Sequence, residues 1–193
     1  MFTGIVEEIG RVEQFQRGTP AARLTVAATR VLDDLKIGDS IAVDGICLTV
    51  VAQRPGSFDV DVQEETIRRT ALARCTPGRH VNLERALTPH SRMGGHYVQG
   101  HIDDVGVITS WHPEGADWVL RLRVPAALRR YIVEKGFLAV NGISLTVAAC
   151  QPSVALHIIP LTRMATTLQY AAAGDLVNLE VDVLAKYVEA LMR

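Results

Sequence analysis

Apolar and polar residues alternate with a period of two over much of the chain. Phe58, Val60 and Val62 alternate with Asp59, Asp61 and Gln63, and Trp118, Leu120, Leu122 and Val124 alternate with Val119, Arg121 and Arg123, the pattern of half-buried strands. Asp44-Gly45 and Asn141-Gly142, each flanked by apolar runs, signal tight turns joining antiparallel strands. These features predict a small antiparallel barrel or sandwich of short strands. The period changes in two places. Pro125 to Lys135 predicts a short helical piece, opened by a proline suited to a first helical turn and ended at Gly136. From near Asp182 the residues Leu184, Tyr187, Val188, Leu191 and Met192 form one apolar stripe of a helix over 183–193.

The strand pattern occurs twice. A shift of 96 residues carries Gly4, Gly10, Thr66, Thr70, Leu72 and Gly78 onto Gly100, Gly106, Thr162, Thr166, Leu168 and Gly174, and Val81-Asn82-Leu83-Glu84 onto Val177-Asn178-Leu179-Glu180. With one more residue in the offset, the run Ala42 to Val50 falls on Ala139 to Val147. Two units of this length are two homologous domains rather than a solenoid, with a boundary near Tyr97, giving residues 1–97 and 98–193. The terminal helix has no counterpart in the first repeat. So short a helix needs cover for its stripe. It packs either on its own barrel or on copies of itself, holding an oligomer together.

Composition narrows the class. Of 193 residues 48% are hydrophobic and 21% charged, the balance of an ordinary soluble globule. Twenty Lys and Arg against 21 Asp and Glu leave a net charge of -1, which argues against nucleic acid as a partner. Glu7 and Glu8 precede the first basic residue, Arg11, so the start does not read as a signal peptide, and no apolar run reaches the ~18 residues of a membrane span. Cys47, Cys75 and Cys150 are odd in number and widely spaced, which suggests reduced thiols in a cytoplasm.

Familiar catalytic motifs are missing. Gly95 to Gly100 has phosphate-loop spacing, but His101-Ile102 stand where Lys and Ser or Thr are required. His96, His101 and Asp103 match no common metal-site spacing, so no metal is expected. What remains is the difference between matching halves. After each turn a strand places Cys47 and Thr49, or Ser144 and Thr146, on one face, with Ile46, Leu48 and Val50, or Ile143, Leu145 and Val147, on the other. Each polar pair lines a pocket or decorates a solvent face. His101 stands at the position of Ile5, and Lys135 at that of Gly38. Histidine suits proton transfer near neutral pH. Aromatic residues are only 5% of the chain, and Phe2 is a candidate to stack on a flat ligand.

Met1-Phe2-Thr3-Gly4-Ile5-Val6, the two turn strands, Gly94-Gly95-His96 with Gly100-His101-Ile102, and Lys135-Gly136 closely resemble the riboflavin synthase family, alpha-chain type. The resemblance covers both repeats and the terminal helix. It implies an all-β fold of two tandem six-stranded Greek-key barrels with a C-terminal α-helix that assembles a homotrimer. It also implies a transferase, free of metal and redox cofactor, that performs the final step of riboflavin biosynthesis. Two molecules of 6,7-dimethyl-8-ribityllumazine dismutate to riboflavin and a 5-amino-6-ribitylaminouracil derivative. Each active site would lie between the N-terminal barrel of one subunit and the C-terminal barrel of a neighbour, with one lumazine per barrel.

Carried over by position, the resemblance assigns Gly4, Ile5, Val6, Cys47, Leu48, Thr49, Asp61, Val62, Gln63, Glu64, Glu65 and Thr66 to the first pocket. The second receives Gly100, His101, Ile102, Lys135, Ser144, Leu145, Thr146, His157, Ile158, Ile159, Pro160, Leu161 and Thr162. Expected roles are a proton shuttle for His101, assistance by Ser144 and Thr146 through a bound water, a nucleophile or polariser in Cys47, and ring packing by Phe2. Leu161 departs from the acidic or polar residue common there, and Arg163-Met164-Ala165 contrasts with Ile67-Arg68-Arg69. A lumazine-binding antenna protein is the alternative with the same barrels, and the presence of His101, Ser144, Cys47 and Lys135 together favours the enzyme. A duplicated barrel that only binds another protein predicts no ligand at all.

Overall fold

The computed structural model describes residues 1–18 and 20–192. Arg193, the last residue of the expected helix, lies outside the described residues. Strands β1 (Glu8–Gln16), β2 (Ala22–Ala27), β3 (Ser40–Val43), β4 (Ile46–Arg54), β5 (Ser57–Val62) and β6 (His80–Arg85) close a barrel in the order β1-β2-β5-β4-β3-β6. Strands β7 (Asp104–Glu114), β8 (Asp117–Arg123), β9 (Phe137–Val140), β10 (Ile143–Ala149), β11 (Val154–Ile158) and β12 (Leu176–Val181) repeat that order in a second barrel. All pairings are antiparallel. In each barrel three hairpin-connected strands are followed by a fourth lying beside the first of them, which is a Greek key. Closure leaves no sheet edge to cover.

Alternation explains the cores. Leu24, Val26, Val60 and Val62 point into the first barrel and Leu120, Leu122, Leu156 and Ile158 into the second, all essentially free of solvent. Asp44 (φ 46) with Gly45 (φ 78), and Asn141 (φ 46) with Gly142 (φ 77), form the expected left-handed two-residue hairpin turns. Bulges between Val12 and Gln14 and between Val50 and Ala52 recur between Ile108 and Ser110 and between Val147 and Ala149, bending equivalent strands around each barrel.

The pattern misses some details. Asp59, assigned to a solvent face, is buried. Arg54 and Thr25 donate hydrogen bonds to it, and these, the Arg54 pair above all, hold its carboxyl below the usual range. The helical piece expected from Pro125 to Lys135 is a 3-10 segment over Ala126–Tyr131, because the chain must turn through Lys135 into β9. Short helices α1 (Glu64–Arg69) and α2 (Pro160–Ala165) follow β5 and β11.

The barrels meet around an approximate twofold relation. The two turns abut so closely that a Cβ on Gly45 would lie 2.6 Å from the Gly142 backbone nitrogen. Asn82 donates to the Asn141 carbonyl at 2.9 Å and accepts from the Thr167 amide, while Asn178 donates to the Asp44 carbonyl at 2.9 Å and accepts from the Ala71 amide. A small cluster of Phe2, Ala42, Val98 and Ala139 fills the space between the two main cores.

The terminal helix α3 (Val183–Leu191) is capped by Asp182, whose carboxylate accepts from the Leu184 amide. Its polar side meets the second barrel: Lys186 pairs with Asp103 at 2.6 Å, and Glu189 with Tyr131 and Arg130. Its apolar stripe faces outward, with Leu191 87% exposed.

Candidate functional site

Two arms, residues 1–6 and 97–102, build the site. Phe2 and Val98 form a reciprocal backbone bridge at the centre of the molecule, with N···O distances of 2.8 and 3.1 Å. Beyond it each arm lies on the barrel of the other repeat. The Gly4 carbonyl accepts from the Ser144 amide at 2.8 Å, and the Gly100 carbonyl accepts from the Cys47 amide at 2.9 Å. Gly4 and Gly100 have φ of 76° and 82°, and a Cβ on either would fall 2.6 Å from the Ser144 Cβ or 2.5 Å from the Cys47 Cβ. Glycine is required on both counts. Val6 packs on the second core and Ile102 on the first.

The grouping by repeat is therefore corrected. Gly4, Ile5 and Val6 belong with Ser144, and Gly100, His101 and Ile102 belong with Cys47. A shift that aligns two repeats equates positions within each copy. It carries no information about which barrel an arm lies on.

Around the first polar pair Cys47 is half-buried and Thr49 and His101 are exposed. Val50 on β4 pairs with Val60 on β5, so the end of β5 and start of α1 flank the polar pair with exposed Asp61, Gln63, Glu64 and Glu65 and half-buried Thr66. Hydrogen bonds from Arg69 and then Arg68 hold the Glu65 carboxyl below its ordinary range. Leu48 and Val62 point into the core and can offer a ligand only backbone.

The second polar pair repeats this frame with other chemistry. Ser144 and Thr162 are half-buried, and Ile5, Thr146, His157, Ile159, Pro160 and Leu161 are exposed, while Leu145 and Ile158 face the core. Exposed Lys135 holds φ of 64°, where Gly38 in the first repeat has 95°. A lysine in left-handed backbone is strained by roughly 1 kcal/mol. Arg163 lays its guanidinium 4.1 Å from the Trp118 ring centroid, whereas the matching Ile67 is core. Its unusual neighbourhood in sequence is thus a change in how the barrel end is closed: Trp118 stands where the first repeat has Ala22.

Sequence reasoning missed two contributors here, the contact of His96 with Ser144 and the ring of Phe137. His96 is buried, its Nδ1 2.7 Å from the Ser144 Oγ, and its ring stacks on half-exposed Phe137 at 5.0 Å between centroids and 5° between planes. Burial pushes its pKa below 6.5, with Asp182 acting in the opposite sense. His96 lies in the segment that joins the repeats, and Ser40 stands where Phe137 does. In the sequence His96 enters only the Gly94-Gly95-His96 run and the metal set weighed with His101 and Asp103. His96, His101 and Asp103 are in fact drawn apart, to Ser144, to the first pocket, and to Lys186 respectively. One assignment fails outright. Phe2 is wholly buried among Ala42, Val98 and Ala139, so its ring has no face left for a ligand.

The lumazine binding domain matches residues 3–86 and again residues 99–182. The riboflavin synthase of Mycobacterium bovis is 51% identical over 198 residues, covering 100% of this chain and 98% of that protein. The chain belongs to the riboflavin synthase family. The riboflavin synthase of Bacillus subtilis is 39% identical over 189 residues, covering 97% of this chain and 88% of that protein. Among solved structures, LumP complexed with 6,7-dimethyl-8-(1'-D-ribityl) lumazine superposes with a TM-score of 0.85 at 21% identity, over 94% of this chain and 99% of that one. LumP complexed with riboflavin gives 0.86 at 22%. These two show the shared fold. The match to the Mycobacterium bovis protein spans the whole chain, from the first arm through α3.

Proposed function

We propose that the chain is a riboflavin synthase, a transferase that moves a four-carbon unit between two molecules of 6,7-dimethyl-8-ribityllumazine, yielding riboflavin and a 5-amino-6-ribitylaminouracil. One observation carries the reading. Two polar pairs share a backbone frame and an exchanged arm, yet Cys47 lies beside the arm that carries His101 and Ser144 beside His96. Identical substrates call for like pockets. Donor and acceptor roles call for unlike chemistry.

The largest effect is juxtaposition: two lumazines held face to face react as one unit. Proton removal from the acidic 7-methyl group falls to Ser144, with neutral His96 taking the proton through the Oγ–Nδ1 hydrogen bond. Lys135 supplies a cation at the rim for the anion that forms, and Thr146 orients beside Ser144. In the first pocket His101 shuttles protons and Cys47 polarises or adds to the bound ring. Asp61, Gln63, Glu64, His157, Ile159 and Thr162 border the lumazines.

The active molecule is a homotrimer. The outward stripe of α3, left uncovered by its own barrel, supports assembly through copies of that helix. The first pocket of one subunit then faces the second pocket of its neighbour, where exposed Ile5, Ile159 and Leu161 gain cover. The three cysteines are free thiols, in keeping with a cytoplasmic location, and no helix among the described residues is long and apolar enough to cross a membrane.

Adding the lumazine to purified protein and following absorbance and fluorescence tests the assignment. Riboflavin formation is expected. A bound, unchanged fluorophore would identify an antenna protein, and no spectral change a module that binds only protein.

A further inference from the structure

The run Val-Asn-Leu-Glu at 81–84 and 177–180 is the longest identity between the repeats, and the pocket chemistry uses none of it. Its valines and leucines are core, and its asparagines join the barrels. The glutamates remain. Glu84 and Glu180 are 6% and 1% exposed on β6 and β12, opposite Ala42 and Ala139. A carboxylate so placed costs stability unless its oxygens are fully hydrogen-bonded.

Both are satisfied by backbone from an arm. Glu84 accepts from the Thr3 amide at 2.7 Å, the Thr3 hydroxyl at 2.9 Å and the Gly4 amide at 3.0 Å. Glu180 accepts from the amides of Gln99 at 2.6 Å, Gly100 at 2.9 Å and His101 at 2.9 Å. Successive amides turned toward one anion form a nest, fixing the backbone that carries them. Each glutamate therefore grips an arm just where that arm leaves for the opposite barrel.

We propose that Glu84 and Glu180 are positioning residues for the pocket of the other barrel: Glu180 sets His101 against Cys47, and Glu84 sets Ile5 against Ser144. Their importance for turnover rests on the two-pocket reading above, but the positioning itself does not. A glutamine is isosteric yet turns an NH2 toward at least one donating amide, so it loosens one arm and leaves the other gripped.

The test is a crossed pair of accessibilities. In Glu180→Gln, iodoacetamide is expected to alkylate Cys47 about fivefold faster by peptide mass spectrometry, with Cys150 as internal reference and Glu84→Gln unchanged. In a Ser144→Cys background the thiol at position 144 should respond to Glu84→Gln and ignore Glu180→Gln. A rise at both thiols from either variant, or at neither, overturns the proposal. No lumazine enters the measurement, so a crossed pattern in a protein that forms no riboflavin would defeat only the enzymatic reading. Should a variant fail to fold, hydrogen exchange in the unmodified protein decides: amides of Thr3, Gly4 and residues 99–101 are expected to be protected, and exchange at unfolded rates overturns the grip.

Discussion

The Oγ of Ser144 lies 2.7 Å from Nδ1 of His96, two side chains 48 positions apart that meet because β10 and the segment entering the second arm share one wall. Replacing His96 by Gln removes the base and keeps the volume of a planar side chain. Riboflavin formation should fall about 100-fold. Initial rates on the purified variant check this, with a thermal midpoint near the parent's showing that the fold survives.

The same histidine sets a pH dependence. Burial holds its folded pKa below the ordinary 6.5, so between those two values the unfolded chain binds more protons than the folded one. Its contribution to stability is present above that window and is lost as pH falls through it. The acid limb of lumazine turnover should lie below pH 6.5, the ordinary imidazole value, and His96→Gln should lose it. An unaltered limb in the variant would assign the titration to another group.

Gly100→Ala should destabilise the protein by roughly 1–3 kcal/mol, since the new Cβ meets Cys47 and the backbone is left-handed. Urea unfolding measures the loss. Gly38→Ala, also left-handed but with open space around it, should be affected through backbone strain alone and so lose less.

Lys135→Gly separates stability from activity. Glycine relieves the strain at φ of 64°, so stability should change by less than about 1 kcal/mol, while turnover should drop about tenfold through loss of the rim cation. A variant as active as its parent would remove Lys135 from the mechanism.

Truncation after Asp182 should lower the native mass from trimer to monomer in light scattering and abolish turnover, while lumazine still binds single pockets. An unchanged mass would show that α3 does not hold the assembly.

The antiparallel strands were legible because alternation and the Asp44-Gly45 and Asn141-Gly142 turns mark the hairpins, whereas closure into barrels rather than sandwiches came from the family resemblance. The polar pairs were legible because strand phase put Cys47 and Thr49 on one face. Arm exchange was not, since Gly4 touches Ser144 and Gly100 touches Cys47 through backbone contacts that leave no pattern in composition or period. His96 became recognisable only when a strand 48 residues later came beside it. Phe2 misled because an apolar ring at a chain start reads equally as ligand platform or core, and packing against Val98 decides the matter.

The exchanged arms make the two repeats depend on each other. One barrel alone would carry an arm with nothing to lie on and a polar pair with no arm across it, so a single repeat made by itself would be complete only by trading arms with a second copy. Residues 86–96 tie the two repeats into one chain, so the trade is made within a single molecule. That joined frame lets the two sides differ, with His96 behind Ser144 on one and Cys47 on the other.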